Sequence, residues 1–387
     1  MPENTTHPSL LFTAFEPSGD DHASTVIAEL KRRHPNLAIY AWGGPKMEAA
    51  GATIVERTGD DAVMGLPGYR KIREHTFINE RIEGWMREYR PLAHIPVDSP
   101  AANFPICKAA KALGIKVIHL VAPQIWAWGR WRIRKMRRLT DMVLCLLPFE
   151  EGFFLKRGVA ARFIGHPLFD VPLDEAELDR RAAALGDGKP RIALMPGSRP
   201  KELEGSWPLL LESFRELRRW YPEIRGAVAA TKPSVEKDLR ERAAALGGWP
   251  EGLQILSGDT DTVIRWCDLA LVKSGTVTLQ IARQVKPMVI FYRTPAVLYY
   301  MVNWWALSTK FFALPNILAH REIVPEFVPH FGGPEDIVAA VRSLLDSPER
   351  MGQQREELAR ITALFKGREA SSHAADAIEE VAGIPRN

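Results

Sequence analysis

The chain has 387 residues, 46% of them hydrophobic and 25% charged, and a formal net charge of +4. That length exceeds one ordinary core and predicts two domains, and the composition is that of a folded globular chain, not a disordered one. A charge so near balance argues against nucleic acid as the main partner, because phosphate binding shows as a broad basic footprint.

The start, MPENTTHPSLLFTAF, has no basic stretch before an apolar core, so no signal peptide is expected. No uninterrupted run of ~20 apolar residues predicts a spanning helix. Cys107, Cys145 and Cys267 are far apart and outside any zinc-ligand spacing, which fits a reducing compartment.

Short apolar runs predict strands at Leu10–Phe15, Leu37–Gly43, Ala93–Val97, Lys116–Ala122 and Met142–Leu147. Near-continuous apolar runs suit parallel strands covered on both faces, and amphipathic stretches such as STVIAELKRRH predict the helices between them. After a polar, proline-punctuated join, a second series predicts strands at Arg191–Gly197, Arg225–Thr231, Leu253–Gly258, Leu269–Gly275 and Pro287–Arg293. Two βα series predict an α/β protein of two doubly wound domains, with ligands at the carboxyl ends of the strands. The boundaries expected are 1–170 and 171–345, with closing helices over 346–387 that could cross back to the first domain.

Four strand-to-helix loops could carry chemistry. In FEPSGDDH, Ser18, Gly19 and Asp20 offer a tight turn and free helix amides for an anion or a sugar hydroxyl, or only an ordinary capped turn. In IPVDSPAANF, Asp98 stands at a strand end, either as a general base or as a cap for the next helix. In MPGSRPKELEG, Ser198 and Arg199 sit before a helix and suit a phosphate, with Glu202 at capping or pairing distance. In VKSGTVTLQ, Ser274, Gly275 and Thr276 put small donors at another helix start. Together these last two loops suggest a nucleoside diphosphate held without a P-loop. No GxxxxGK[ST], GxSxG or HExxH occurs, so neither metal nor cofactor is expected.

The segment WAWGRWRIRKMRR, Trp126 to Arg138, reads as a nucleic-acid patch, a membrane foothold or a wall of a substrate site. PAVLYYMVNWWALSTKFFALP, Pro295–Pro315, is too interrupted to span a membrane. It suits an interfacial or acyl-contacting helix, a buried aromatic helix or a dimer contact.

SGDDH, GGPKMEAAG, AVMG, VDSP, PQIWAW, LPFE, RFIGHPL, LMPGSR, SGT, FYR and LPNILAHREIVPE occur in this order between about Leu10 and Glu326. The ordered set resembles the lipid-A-disaccharide synthase family, glycosyltransferase family 19. The resemblance implies a GT-B fold, two Rossmann-like domains facing an interdomain cleft. It implies an inverting transfer, without metal, from UDP-2,3-diacylglucosamine to 2,3-diacylglucosamine 1-phosphate. The products would be the β-1,6-linked lipid A disaccharide 1-phosphate and UDP.

The family's essential acid falls on Asp98, its PGSR arginine on Arg199, its SGT turn on Ser274, Gly275 and Thr276, and its LPN asparagine on Asn316. Asn103 is retained beside Asp98. The chain departs from the family at Phe15 and Ala23, where glycines are usual. It departs also at Ala101, in place of a second acid, and at Gln280, in place of a glutamate expected to contact the nucleotide sugar. These changes bear on substrate preference and rate, and keep open an altered-specificity or non-catalytic homologue that binds UDP-sugar or lipid.

Asp98 is then expected to deprotonate the acceptor's 6-hydroxyl while Arg199 and two helix starts stabilise the departing diphosphate. Acylated substrates imply a peripheral place on an anionic membrane surface, the cytoplasmic side of the inner membrane of a Gram-negative-type bacterium. Trp126, Trp128, Arg130, Arg134, Arg138, Trp304 and Trp305 are the candidate contacts. A homodimer is a further possible partner, nucleic acid is not.

Overall fold

The computed structural model describes residues 8–58, 69–293 and 309–385. The chain divides into two units, residues 1–171 with 367–387, and 172–366. In the first unit the elements run β1 (Ser9–Thr13), α1 (Pro17–Arg33), β2 (Ala38–Gly43), α2 (Pro45–Ala49), β3 (Thr53–Arg57), α3 (Tyr69–Tyr89), β4 (Ala93–Pro96) and α4 (Pro100–Ala112). They continue with β5 (Lys116–Leu120), α5 (Ile133–Leu139), β6 (Met142–Cys145), α6 (Pro148–Leu155) and β7 (Ala161–Phe163). The strands form one parallel sheet of order β3-β2-β1-β4-β5-β6-β7.

The second unit has α7 (Glu175–Ala183), β8 (Arg191–Met195), α8 (Pro200–Trp220), β9 (Arg225–Ala230), α9 (Pro233–Ala245), β10 (Leu253–Ser257) and α10 (Thr260–Trp266). Then come β11 (Leu269–Lys273), α11 (Val277–Arg283), β12 (Met288–Phe291) and β13 (Glu326–Phe327). Its parallel sheet has the order β10-β9-β8-β11-β12-β13.

The central strands are buried throughout because helices cover both faces: Leu10, Leu11 and Phe12 of β1 and Ile192, Ala193 and Leu194 of β8 are fully inaccessible. Ala23, Val26, Ile27 and Leu30 form one stripe of α1 at helical spacing and bury against this sheet. Every strand expected above is present, with ends within two residues. The three unexpected strands are sheet edges. β3 alternates exposed and half-buried residues, and β7 and β13 are too short to show a period.

The closing segment is shared between the units. Helix Pro348–Ala363 belongs to the second, and helix Ala370–Ala382 lies on α1 in the first. There Arg33 Nη1 meets Asp376 at 2.8 Å and Glu379 at 3.2 Å, while Ala374, Ala377 and Ile378 enter the β1 core. Among the described residues no helix is long and apolar enough to cross a membrane. Trp304, Trp305 and most of the aromatic segment Pro295–Pro315 lie outside the described residues.

Candidate active site

In each sheet the strand order reverses once, between β1 and β4 and between β8 and β11. The loops leaving these neighbours diverge to opposite faces and open a crevice at the carboxyl edge. All four loops singled out above leave these strands, so the first unit brings Ser18–Asp20 to Asp98, and the second brings Ser198–Arg199 to Ser274–Thr276.

Asp98 sits on strained backbone. Its φ is +46°, that of Ser99 is +37°, and in the next loop Val121 has φ +66°. A β-branched residue in that region is a true outlier, and such strain persists only where the surroundings enforce it, most often at functional sites. The two loops are tied together, since the Asp98 amide donates to the Leu120 carbonyl at 2.9 Å. Burial pushes the Asp98 carboxyl above the ordinary carboxylate value; the Ser99 amide opposes this and the nearby Glu16 charge adds to it. Glu16 is held in place by the Ser99 hydroxyl, which donates to its Oε1 at 2.7 Å.

One residue expected to bind substrate braces this loop. Asn103 is fully buried; its Oδ1 accepts from the Thr13 hydroxyl at 2.7 Å, and its Nδ2 faces the carbonyls of Val97, Asp98 and Ser99 at 3.3, 3.0 and 3.4 Å. Thr13 Oγ1 also lies 2.8 Å from His94 Nε2, and burial lowers the His94 pKa to about 3. Because the hydroxyl proton goes to Asn103, His94 is the neutral Nε2–H tautomer.

Asp20 is likewise turned inward. Its carboxylate accepts from the amides of Gly44, Lys46 and Met47, each at 3.0 Å, and so caps α2. A Cβ at Gly44 would lie 2.5 Å from that carboxylate, which is why SGD and GGPKM occur together. Ser18 remains exposed on the first turn of α1, and Gly19 lets that turn approach Ala14, whose Cβ a side chain would meet at 3.1 Å.

Trp126, expected at a lipid surface, is instead buried: its Nε1 donates to Glu150 Oε1 at 2.8 Å and its ring meets Phe149 edge-on at 4.9 Å. Glu150 Oε2 accepts from the Leu147 amide at 3.0 Å. Burial drives the Glu150 pKa up to about 7, against the indole and the Leu147 and Leu146 amides, and the Asp98 charge raises it further. A folded-state pKa raised above its unfolded value contributes stability at low pH that is lost as pH rises through the folded value. Between pH 6 and 8 Glu150 should therefore remove stability on the order of 1 kcal/mol. Buried histidines with lowered pKa act in the opposite sense, so the test is the difference between chains. Urea unfolding of Glu150→Gln should lack this fall; an identical pH slope in both would exclude it.

Trp128 and Trp131 are exposed by 42% and 52%, and the Arg132 guanidinium stacks over Trp128 at 4.1 Å. Between α4 and α5 lies a groove of about 640 Å³ that starts at Ala101 and includes Phe104, Lys108, Trp131, Lys135 and Arg138. Its charged lining is wholly cationic. Arg138 belongs to it, whereas Arg130 and Arg134 do not.

In the second unit Arg199 forms the N-cap of α8, and the Gly197 before it has φ +100°. A Cβ there would lie 2.7 Å from Glu202 Oε2. Glu202, expected to touch substrate, collects local cations instead: Lys273 Nζ at 2.9 Å and Arg199 Nη1 at 3.2 Å, with the Ser198 amide at 3.3 Å. Burial opposes its charge, yet Lys273 and the other donors hold its pKa below the ordinary value. Gly275 and Thr276 are exposed at the start of α11, with Ser274 and Gln280 half-buried.

Asn316 is turned inward like Asn103. Its Oδ1 accepts from the Ile323 and Val324 amides at 2.8 and 3.0 Å, and its Nδ2 donates to Val324 O at 3.0 Å and Glu326 Oε2 at 2.8 Å. All four of its hydrogen-bonding positions are filled within the chain, so it shapes the segment that leads to β13. Glu16, Glu150 and Lys273 were not singled out from sequence, although each lies inside a quoted motif. Nothing local distinguishes them from caps and surface charges.

Two parallel sheets of this strand order, each reversing once, define a fold of two Rossmann-like units of the GT-B type. The fold is similar to that in an S. aureus MnaA–UDP co-structure, with TM-score 0.67, 11% identity and 98% of each chain covered. It is also similar to Acinetobacter baumannii MurG, with TM-score 0.58, 14% identity, and 96% of this chain and 99% of that one covered. A family model described as Lipid-A-disaccharide synthetase matches residues 10–381. The chain is 35% identical over 382 residues to the lipid-A-disaccharide synthase of Anaeromyxobacter sp. (strain K), covering 97% of each. It is 33% identical over 387 residues to that of Myxococcus xanthus (strain DK1622), covering 97% of this chain and 98% of the relative. The chain belongs to the lipid-A-disaccharide synthase family and is a glycosyltransferase of lipid A biosynthesis.

Proposed function

We propose that the protein joins UDP-2,3-diacylglucosamine to 2,3-diacylglucosamine 1-phosphate with inversion, and that Asp98 is the general base. The observation that carries this is the Asp98 carboxyl itself, at the first sheet's reversal, made more basic by burial and held on enforced backbone. The acceptor's 6-hydroxyl gives its proton to Asp98, and its oxygen bonds to the donor's anomeric carbon. The bond from that carbon to the β-phosphate oxygen breaks, and UDP leaves with the electron pair. The leaving diphosphate needs charge stabilisation and no proton, which Arg199 and the amide at the start of α8 are suited to supply. The bound UDP named for the S. aureus relative supports UDP as the nucleotide part of the donor.

The groove from Ala101 to Arg138 suits the acylated acceptor, with an apolar floor for chains and cations for a phosphate. It also suits a peripheral seat on an anionic bilayer, on the cytoplasmic side of the inner membrane. Exposed cations near such a surface contribute ~1 kcal/mol each. The double variant Lys135→Ala, Arg138→Ala should bind anionic vesicles about 30-fold more weakly in cosedimentation. Equal binding by both proteins would remove the groove from the membrane contact.

Mass spectrometry of the product after incubation with both acylated substrates tests the reaction. A tetra-acyl disaccharide monophosphate is expected. UDP binding without any such product would instead mark an altered homologue, the outcome that Ala101 and Gln280 keep in view.

A further inference from the structure

Glu202 occupies a position with the chemistry of a phosphate site. One carboxylate gathers a backbone amide at a helix start, a guanidinium and an ammonium, from Ser198, Arg199 and Lys273. Two of these donors come from the loop after β8 and the third from the end of β11, on either side of the sheet's reversal. A phosphoryl group is held by this same set of donors. The cluster is not sealed: the Arg199 side chain is 54% exposed, while Glu202 and Lys273 retain 16% and 13%.

We propose that Glu202 is a resident counter-ion of the donor-phosphate cradle, and that the donor's diphosphate displaces it from Lys273, which thereby becomes a phosphate-binding residue. This rests on the reading of the second unit as the UDP-sugar half.

Three features favour exchange over a fixed structural pair. Lys273 Nζ also lies 5.0 Å from the Tyr292 ring centre, so the ammonium keeps a partner on the ring when the carboxylate lets go. Glu202 stands in the first turn of α8, where its charge is favoured by the same helix-end field that favours a phosphate. Third, the balance of charge suits reversible binding. With Glu202 in place, the pair of cations presents one net positive charge instead of two, and the carboxylate competes with UDP for both.

Holding the cations this way keeps Lys273 and Arg199 aligned in the empty enzyme and gives them a partner again as product leaves. Gly197 is part of the device, because any side chain there would collide with the Glu202 carboxylate. The inference assigns Glu202 a sign opposite to that of a binding residue. Removing its charge should tighten nucleotide binding.

Calorimetric titration of the full chain with UDP and with uridine tests this. Glu202→Gln should bind UDP several-fold more tightly, roughly fivefold, because the two cations lose their internal competitor. Lys273→Met should bind UDP at least tenfold more weakly, as about one charge-assisted contact is lost. Lys273→Arg should recover most of that loss. Uridine, which has no phosphate, should bind all three variants as it binds the parent.

UDP affinity that is unchanged or weaker in Glu202→Gln overturns the counter-ion role, and unchanged affinity in Lys273→Met overturns the lysine's. Arg199→Ala separates the two levels of the proposal. If it too leaves UDP affinity intact, the nucleotide is not bound at this loop, and the reading of the second unit fails with the inference.

Discussion

Asp98→Asn is expected to lower kcat by about 10²–10⁴ while leaving UDP affinity unchanged. Asn is the informative replacement because Asp and Asn both tolerate the positive φ of +46° found there, whereas other side chains add strain. The variant keeps the shape of the side chain and removes only its ability to take the 6-hydroxyl proton. The effect should fall on kcat, since the proton moves only in the transition state and the loops proposed for the nucleotide belong to the other unit. The pH profile adds an independent reading. Burial and the Glu16 charge hold Asp98 above the ordinary carboxylate value, so kcat/KM should fall, as pH is lowered, earlier than for a solvated aspartate. Glu16→Gln should move that fall to lower pH by removing a like charge. Near-normal turnover in Asp98→Asn would remove Asp98 as the base.

Asn103→Leu is expected to cost about 3 kcal/mol of stability and to lower kcat on the order of 10²-fold. The side chain is wholly buried, and its loss leaves the Thr13 hydroxyl without its acceptor and takes the side-chain donor from the carbonyls of Val97 and Asp98, while the Ser99 carbonyl keeps the Ala102 and Asn103 amides. Buried groups left without partners account for the stability loss. The activity loss follows from position: once the brace is gone, the strained Asp98–Ser99 backbone has less to enforce it, and the base moves off line. Urea unfolding and steady-state rates measure the two effects. A destabilised enzyme with full kcat per folded molecule would show that Asn103 supports the fold alone.

Much of this protein was legible from periodicity. The apolar runs marked ten strands, nine of them central, because parallel strands inside a sheet are buried on both faces, and the loops after them marked the sheet reversals. Three of the four edge strands were not legible: Thr53–Arg57 is half solvated, and two others have three residues or fewer. At the site, the motif strings located the loops at the sheet reversals but not the partners of each residue. Asp20, Asn103, Glu202 and Asn316 look like ligands in a sequence because polar residues at strand ends commonly are. Their partners, at Gly44, Thr13, Lys273 and Val324, come from other elements, and only folding brings them within 3.3 Å.

The same division holds for WAWGRWRIRKMRR. Composition determined that this stretch is basic and aromatic, and the chain's modest net charge turned it away from nucleic acid. Local sequence could not separate its residues. The tertiary structure buries Trp126 on the Glu150 carboxylate, leaves Trp128 and Trp131 exposed, and sets Arg138 but not Arg134 in the groove beside Ala101. Periodicity and composition are properties of neighbours along the chain, so the sequence by itself determined the two parallel sheets and the loops that matter. Hydrogen-bond satisfaction and burial depend on neighbours in space. They alone decided which polar residues brace the site and which remain to face a substrate.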